Sequence, residues 1–402
     1  MTNPTLNIPN PPSAACPLAA LLIILFLAVA LGTVALHRPA AAAPGDRLDL
    51  ADALFAAVAA VTNTGLAVRD AADRFTPLGQ TIILILMQLG ALATITTATL
   101  IFLRMLRPAV APTARVTTTR VVSVFLMIQL IGFIALLFAL PRSQSWPTHA
   151  FTALFDAISA VTNTGLRAHS DPTLTATHPT THLILTPLIL FGAAGGVLLF
   201  WHRNTDRPRT LDPVPRRILI ALLAVYALAT LTLFIVLSFS ANPDPAPDRY
   251  LQSAALAASR TTGFNFVDPA TLPPAARLAL MPLMFIGAAP GSPVAGLGLL
   301  ALALLCSRAP HSPNPQTLRR YVITILTAEL VLVLAAAYLL ALVEAPPLGH
   351  LLFTALSATS NAGLDVGITP QLTTYGRLIL TAAMLAGRIL PLCILTQSAR
   401  AK

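Results

Sequence analysis

Long apolar runs alternate with short polar segments along the whole chain. Eight of the runs are each about 19 residues or longer, which is what a helix needs to cross a hydrocarbon core about 30 Å thick. They lie at residues 18–36, 77–103, 118–140, 181–201, 216–239, 276–306, 321–343 and 374–397. The pattern predicts an all-α integral membrane protein with eight transmembrane helices.

Four shorter apolar segments lie between these runs, at residues 50–61, 149–160, 249–259 and 348–359. A helix of about twelve residues is about 18 Å long and reaches roughly half-way through a bilayer. Each segment leads into a polar turn that contains a glycine. The turns are VTNTGL (61–66), VTNTGL (161–166), RTTGF (260–264) and TSNAGL (359–364).

The turn glycines recur at a nearly constant interval. Gly65, Gly165, Gly263 and Gly363 are separated by 100, 98 and 100 residues. A fixed period of this kind indicates internal repeats. We therefore expect four fused units, each made of a helix, a pore helix that stops half-way, a filter loop and a second helix, arranged around one pore. The predicted boundaries are a cytoplasmic N-terminal tail at 1–17 and repeats at 18–103, 118–202, 216–306 and 321–397.

Composition supports a membrane location, because 56% of the residues are hydrophobic and 10% are charged, against about 25% charged in soluble domains. The segments 104–120, 202–217 and 307–320, together with the tail after residue 397, hold 14 basic residues and two acids. The positive-inside rule places them in the cytoplasm, so both termini are expected there, in a multi-pass protein of the cytoplasmic (inner) membrane. The stretch PAAAAPG at 39–45 resembles a signal-peptide cleavage site, but residues 1–36 lack the positive charge that a signal peptide needs.

The four loops would place irregular backbone at membrane depth. Such backbone is tolerated only where it is buried in protein or lines water. Four loops around one axis would form rings of carbonyl groups, and the negative C-terminal ends of the pore helices would point toward them. Such rings favour a dehydrated monovalent cation. The alternative is that the four turns only pack the fold.

The chain resembles the Trk/Ktr/HKT superfamily of potassium transporters. SRTTGFNF (259–266) is similar to the third filter loop of that family, and ALFDAISAVTNTGL (153–166) and LFTALSATSNAGLDVGIT (352–369) resemble its second and fourth pore helices with their loops. Eight spans resemble the KtrB branch more than TrkH. The resemblance implies potassium uptake, with K+ as the transported ion, and the glycine at position 65 implies a preference for potassium over sodium.

The resemblance also implies the positions that bind the ion. They are Thr62, Asn63, Thr64, Gly65, Thr162, Asn163, Thr164, Gly165, Thr261, Thr262, Gly263, Ser360, Asn361, Ala362 and Gly363.

FIGAAPGSPVAGLG (285–298) interrupts the sixth span with helix breakers and corresponds to the family's intramembrane gate loop. GRILPL (387–392) resembles its last inner-helix motif, whose arginine points into the pore. The expected gate residues are Gly287, Pro290, Gly291, Ser292, Gly296 and Arg388. The loop lacks the lysine usual in the family.

Glu329 and Arg388 are expected at the same depth, about 12–14 Å from the cytoplasmic edge. A lone charge there costs at least about 2.5 kcal/mol, so one hypothesis is that the two residues form a pair, either directly or through water. The alternative is that Glu329 bonds a nearby hydroxyl and Arg388 faces the gate loop alone. An aspartate also follows each filter glycine (Asp70, Asp171, Asp268 and Asp365), and these residues form either an acidic pore mouth or ordinary solvated loops.

The resemblance further implies a homodimer in membrane lipid that works with a cytosolic RCK-type regulatory subunit (KtrA/TrkA-like). A nucleotide would act only through that partner, and no cofactor is expected in this chain. An enzyme is not expected, because the sequence holds no nucleophile–base or metal motif, and nothing favours nucleic acid as a partner. The competing hypothesis is a secondary transporter for sodium or an organic cation, but such proteins usually show inverted repeats and intramembrane carboxylates.

Overall fold

The structure is a computed structural model that describes residues 15–45, 48–68, 71–106, 114–141, 145–168, 179–196, 213–239, 246–264, 266–289, 292 and 315–400. Over these ranges the chain is helical, and β-pairing is limited to an isolated bridge between Ala42 and Phe75. The first seven helices are α1 (Ala15–Leu36), α2 (Leu50–Val61), α3 (Ala71–Arg74), α4 (Pro77–Leu106), α5 (Ala114–Ala139), α6 (Trp146–Val161) and α7 (Pro179–Ala194). The remaining six are α8 (Pro213–Ser238), α9 (Ala246–Ser259), α10 (Pro274–Ile286), α11 (Pro315–Val343), α12 (Leu348–Thr359) and α13 (Thr374–Arg400).

Six helices are long and apolar enough to cross a membrane. They are Pro17–Leu36, Pro77–Ile101, Thr118–Ala139, Arg216–Ser238, Val322–Val343 and Thr374–Gln397. These six agree with six of the eight predicted spans. The other two predicted spans, 181–201 and 276–306, begin with the shorter apolar helices Thr180–Ala194 and Pro274–Ile286 and continue into residues outside the described ranges. They stay predictions, as do the repeat boundaries.

The helices pack in groups that follow the chain. Helices α1, α2 and α4 contact one another, as do α5, α6 and α7, and also α11, α12 and α13, while α8 contacts both α9 and α10. Neighbouring groups meet through α4 and α6, through α7 and α9, through α10 and α12, and through α13 and α2. The contacts therefore run around the groups in chain order and return from the fourth to the first.

The half-length helices α2, α6, α9 and α12 lie in the interior of this arrangement. Their C-terminal turns are rich in alanine, and Ala57, Ala59, Ala60, Ala157 and Ala160 are all buried. Small side chains let helix backbones approach closely where lipid offers no hydrophobic driving force. Larger apolar residues such as Phe55 and Phe353 fill the space between groups. The long helices instead expose apolar side chains such as Phe26 and Phe138, as expected of surfaces that face lipid.

Candidate functional site

Three of the four filter loops begin with the same helix-ending turn. In the first loop, Asn63 has a φ of 54°, its N–H donates to Ala60 O at 3.1 Å, and the N–H of Thr64 donates to Ala59 O at 2.9 Å. This is the Schellman arrangement, in which a residue with left-handed backbone ends a helix. The loops at Asn163 and Asn361 repeat it, with φ values of 56° and 51°. Asparagine fits because it tolerates this conformation better than most residues other than glycine.

The third loop is built differently. Thr261 occupies the position of these asparagines, and it is absent from the non-glycine residues with positive φ in the described chain. A β-branched residue is a poor fit for left-handed backbone. The N–H of Thr262 donates to Ser259 O at 2.9 Å, which closes a tighter turn than in the other three loops. The sequence repeat is therefore fourfold, whereas the turn geometry is shared by three loops.

The four filter glycines lie together. Gly65, Gly165 and Gly363 have φ values of 78°, 82° and 76°, which glycine adopts without steric cost. A β-carbon added at Gly65 would overlap the carbonyl oxygen of Thr164, and one added at Gly363 would overlap that of Thr64. One added at Gly263 would lie 3.2 Å from Gly363 O and 3.3 Å from Gly65 O. Glycine is required in the first and fourth loops both by backbone conformation and by lack of space.

The predicted filter positions are buried, except that Ser360 is half-buried. The hydroxyl and amide groups of these residues form hydrogen bonds with other groups of the protein. The hydroxyls of Thr62 and Thr64 are 2.7 Å apart, and those of Thr162 and Thr164 are 2.8 Å apart. The Asn63 amide donates to Met87 O at 2.9 Å. These hydroxyl and amide groups are therefore engaged within the protein.

Arg388 reaches the first filter loop from the middle of α13. Its Nη2 donates to the carbonyl oxygen of Thr62 and lies 3.3 Å from Asn63 Oδ1. The side chain is buried, and its Nε and Nη1 have no hydrogen-bond partner in the described part of the chain. The guanidinium therefore places a positive charge directly against the filter.

A direct ion pair between Arg388 and Glu329 is not formed, because among the described residues Arg388 binds Thr62 and no ion pair joins it to Glu329. A pair bridged by water stays a prediction. The alternative, with Arg388 facing the gate loop alone, did not include the contact with Thr62. Glu329 is half-buried on α11. A shared depth, as predicted from the sequence, does not bring two side chains into direct contact, because depth does not fix the direction in which each residue projects from its helix.

The predicted gate region begins where α10 ends. Gly287 follows the helix with a φ of 62°, and the buried Ser292 donates its N–H to Ala289 O at 3.1 Å. The N–H of Ala289 in turn donates to Ala193 O near the end of α7, at 2.9 Å. Pro290, Gly291 and Gly296 lie outside the described residues, as do Asp70 and Asp171 of the predicted acidic mouth.

Arg260 links the third filter loop to this helix end. It occupies the position of Thr62, Thr162 and Ser360, and it is almost completely buried. Its Nη1 donates to Gly287 O at 2.5 Å and to Leu283 O at 3.2 Å. The last carbonyls of a helix lack intrahelical partners and carry partial negative charge, so the guanidinium caps the C-terminus of α10. The arginine is part of the sequence motif SRTTGFNF (259–266), but the motif does not indicate this contact.

Three glycines on α4, α7 and α13, the helices that we call the inner helices of their repeats, were also missed. A β-carbon at Gly90 or Gly192 would overlap the carbonyl oxygen of Val61 or Val161, and one at Gly387 would overlap that of Thr359. Each of these carbonyls belongs to the last residue of a pore helix. The glycines thus let each inner helix lie directly against the end of a pore helix. Their sequence signal is a glycine 24 to 27 residues after the filter glycine of the same repeat.

A buried charge cluster near the start of α2 was missed as well. Asp52, in the first turn of α2, forms ion pairs with Arg74 of α3 and with Arg377 of α13, the latter at 2.5 Å. Asp52 and Arg74 are both buried. Nothing in the sequence indicates this pairing, because Asp52 and Arg377 are 325 residues apart. In the described part of the chain, no group of three or more histidine, cysteine or acidic side chains could hold a metal ion.

Comparisons with known proteins agree on one family. Residues 215–401 match the family model described as TrkH, cation transport protein. The Ktr system potassium uptake protein B of Bacillus subtilis (strain 168) is 31% identical to this chain over an alignment 406 residues long, gaps included. The alignment covers 91% of this chain and 89% of that protein. The Ktr system potassium uptake protein B of Vibrio alginolyticus is 28% identical to this chain. That match covers 94% of this chain and 91% of the Vibrio protein.

A more distant relative is the potassium/sodium uptake protein NtpJ of Enterococcus hirae, which is 22% identical to this chain. The match covers 90% of this chain and 88% of that protein. Among solved structures, the potassium transporter TrkH from Vibrio parahaemolyticus superposes with a TM-score of 0.74 at 19% sequence identity. That match covers 94% of this chain and 83% of the other. At this identity the structural match concerns the fold.

Proposed function

The chain belongs to the Trk/Ktr family of cation transport proteins, and on that premise we propose that it takes up potassium by channel-like conduction through a filter of four loops. It is a multi-pass membrane protein and a transporter, not an enzyme. The filter would be built from the residues of TNTG (62–65), TNTG (162–165), TTG (261–263) and SNAG (360–363).

The observation that carries this proposal is the meeting of four glycine turns at the C-terminal ends of four half-length helices. The carbonyl oxygens of Gly65, Thr164 and Gly363 surround Gly263. Carbonyl oxygens replace the water shell of a monovalent cation, and the negative ends of the helices favour positive charge at this point. Side-chain carboxylates, which a divalent cation prefers, are absent from the four loops in the sequence.

The gate is proposed to be the interruption after α10, together with Arg388. Helix α10 ends at Ile286, and Gly287 follows it with a φ of 62°; the proposal is that the segment after this break blocks or opens the path below the filter. Removing residues 288–295 is expected to raise the flux, because an obstacle would be lost. A variant that folds normally and conducts no faster than the parent would exclude this loop as the gate.

The proposed assembly is a homodimer in the cytoplasmic membrane with both termini in the cytoplasm. The basic segments that set this orientation could also receive a cytosolic regulatory subunit of the RCK type, which would carry the nucleotide. Uptake needs no other energy source than the membrane potential, which supplies about 2.3 kcal/mol per 100 mV for each cation that enters. The arrangement makes the chain a passive conductor under the control of its partner.

The test is uptake of rubidium-86, a potassium substitute, into liposomes that contain the purified full-length protein. We expect uptake that is driven by an inside-negative potential and is inhibited by potassium far more strongly than by sodium. Equal inhibition by the two ions would favour transport of both potassium and sodium. Uptake that requires a sodium gradient would favour a secondary transporter and would contradict the proposal.

A further inference from the structure

Three asparagines occupy the same position in the first, second and fourth filter loops. Asn63, Asn163 and Asn361 are completely buried. Each amide nitrogen donates to a main-chain carbonyl of the inner helix of its own repeat. These bonds are Asn63 to Met87 O at 2.9 Å, Asn163 to Ile189 O at 3.2 Å and Asn361 to Met384 O at 3.1 Å. Each loop is therefore held to its inner helix at an equivalent point.

The same side chains also bond across to a neighbouring loop. The Asn361 amide donates to Thr64 Oγ1 at 2.7 Å, which joins the fourth loop to the first. The Asn63 amide donates to Thr164 Oγ1 at 3.1 Å and joins the first loop to the second. The hydroxyl of Thr261 donates to Asn163 Oδ1 at 3.2 Å and joins the third loop to the second. We name these six residues the inter-loop belt.

The chemistry of asparagine explains why it recurs here. Its NH₂ group has two donors, so one amide can bond both the inner helix and the neighbouring loop. Asparagine also tolerates the left-handed backbone that this position requires. Threonine in the third loop offers one hydroxyl donor, and Ala362 in the fourth offers none. Among the described residues, no side-chain hydrogen bond crosses the border between the third and fourth loops.

We propose that the belt asparagines are positioning residues that set the distances between filter loops and so determine the discrimination between potassium and sodium. This inference rests on the proposed function. The selectivity of a carbonyl filter depends on its size and on the number and rigidity of its carbonyl ligands. Hydrogen bonds in a buried, low-dielectric site strongly constrain the groups that they join. The side chains would thus act on the ion through the backbone, without touching it.

The decisive experiment compares threonine variants within the second loop. Thr164→Val keeps the shape of the side chain and removes the acceptor of the Asn63 bond. Thr162→Val, two residues earlier, removes a hydroxyl that bonds only within its own loop, to Ser159 O and Thr164 Oγ1. The purified full-length variants are placed in liposomes, and potassium and sodium are compared as inhibitors of rubidium-86 uptake.

We expect Thr164→Val to lower the ratio of potassium to sodium inhibition by about three- to ten-fold, the change that corresponds to one lost buried hydrogen bond. Thr162→Val should change the ratio less, and Thr164→Ser, which keeps the hydroxyl, should restore most of the lost selectivity. Asn361→Gly, which keeps the backbone conformation and loses the bond to Thr64, should also lower the ratio.

A double-mutant cycle tests whether the bond itself is responsible. Asn361→Gly and Thr64→Val remove the same bond, so their effects on the ratio should be less than additive. Suppose that the parent protein is selective for potassium and that Thr164→Val leaves the ratio of potassium to sodium inhibition unchanged. The proposed role of the belt would then be overturned, and the proposed function would stand. A parent protein with no cation uptake would overturn both. If Asn361→Gly fails to fold, the comparison of Thr164→Val with Thr164→Ser still decides.

Discussion

Arg388 and Thr62 are 326 residues apart in the chain, and they are joined by a hydrogen bond from the guanidinium to the main-chain carbonyl oxygen. This contact places a buried positive charge at the end of the first pore helix. A cation approaching the filter would be repelled by it, and the repulsion is strong because the surroundings have a low dielectric constant.

Replacing Arg388 by glutamine is therefore expected to raise rubidium-86 flux several-fold in liposomes. Glutamine removes the charge and keeps a polar, uncharged side chain in the buried site, although it is too short to reach the Thr62 carbonyl in the way that Nη2 does. A flux no higher than that of the parent, in protein that elutes and melts normally, would show that the charge does not limit conduction.

Glu329→Gln provides the control for Arg388→Gln. The two side chains form no ion pair in the described structure, so their effects on flux and on thermal stability should add within about 0.5 kcal/mol. A clear departure from additivity in a double-mutant cycle would revive the hypothesis that they pair.

Gly65→Ser is expected to lower both stability and potassium selectivity. Its φ of 78° costs a residue with a β-carbon about 1–2 kcal/mol, and the added atom would overlap the Thr164 carbonyl. Gly263→Ser is the comparison, because Gly263 is not among the positive-φ glycines: its new β-carbon, 2.9 Å from Thr164 O, is crowded by backbone but meets no conformational strain. The apparent Tm in detergent and the potassium-to-sodium ratio in liposomes give the two readouts. Equal effects of the two substitutions would argue against the conformational explanation.

Asp52→Asn should destabilise the protein by about 3–5 kcal/mol, because it leaves two arginines at a buried site without their shared carboxylate. Asp49→Asn tests the same change three residues earlier, on an exposed side chain, where a substitution typically stays within about 0.5 kcal/mol. Thermal unfolding of both variants in the same detergent measures the difference. Similar curves for the two would mean that the ion pairs to Arg74 and Arg377 contribute little.

The raised pKa of the Asp365 carboxyl leads us to expect that the stability of the protein depends on pH. Burial raises the pKa of this carboxyl, although Thr369 N–H donates to its Oδ2 at 3.2 Å. A raised pKa in the folded state means that folding favours the protonated acid. The contribution to stability is therefore fully present below the unfolded pKa of about 3.9 and is lost as the pH rises through the folded value.

Asp365→Asn should accordingly be more stable than the parent at about pH 8 and differ less from it at about pH 4. Melting curves at the two pH values measure this, and Asp268→Asn removes an exposed acid from the same outer surface as a control. A stability difference that is independent of pH would contradict the assignment to Asp365.

The helical architecture and the four glycine turns could be predicted from the sequence because both depend on local patterns. An apolar run has the length of a membrane span whatever surrounds it, and the agreement of six spans reflects that fact. The glycines at 65, 165, 263 and 363 could be found from their spacing alone, since a repeated loop must repeat its backbone requirement. The asparagines could be found too, but their role could not, because the sequence does not show which carbonyl an amide meets.

The contacts that organise the site were decided by the tertiary structure. Asn63 meets Thr164, Arg388 meets Thr62, and Asp52 meets Arg377, and each pair joins different repeats that are distant in the chain. Hydropathy gives the depth of a residue in the membrane but not the direction in which its side chain leaves the helix. That direction depends on how the helices rotate and pack against one another, and for this reason a predicted shared depth does not make Glu329 and Arg388 a direct ion pair.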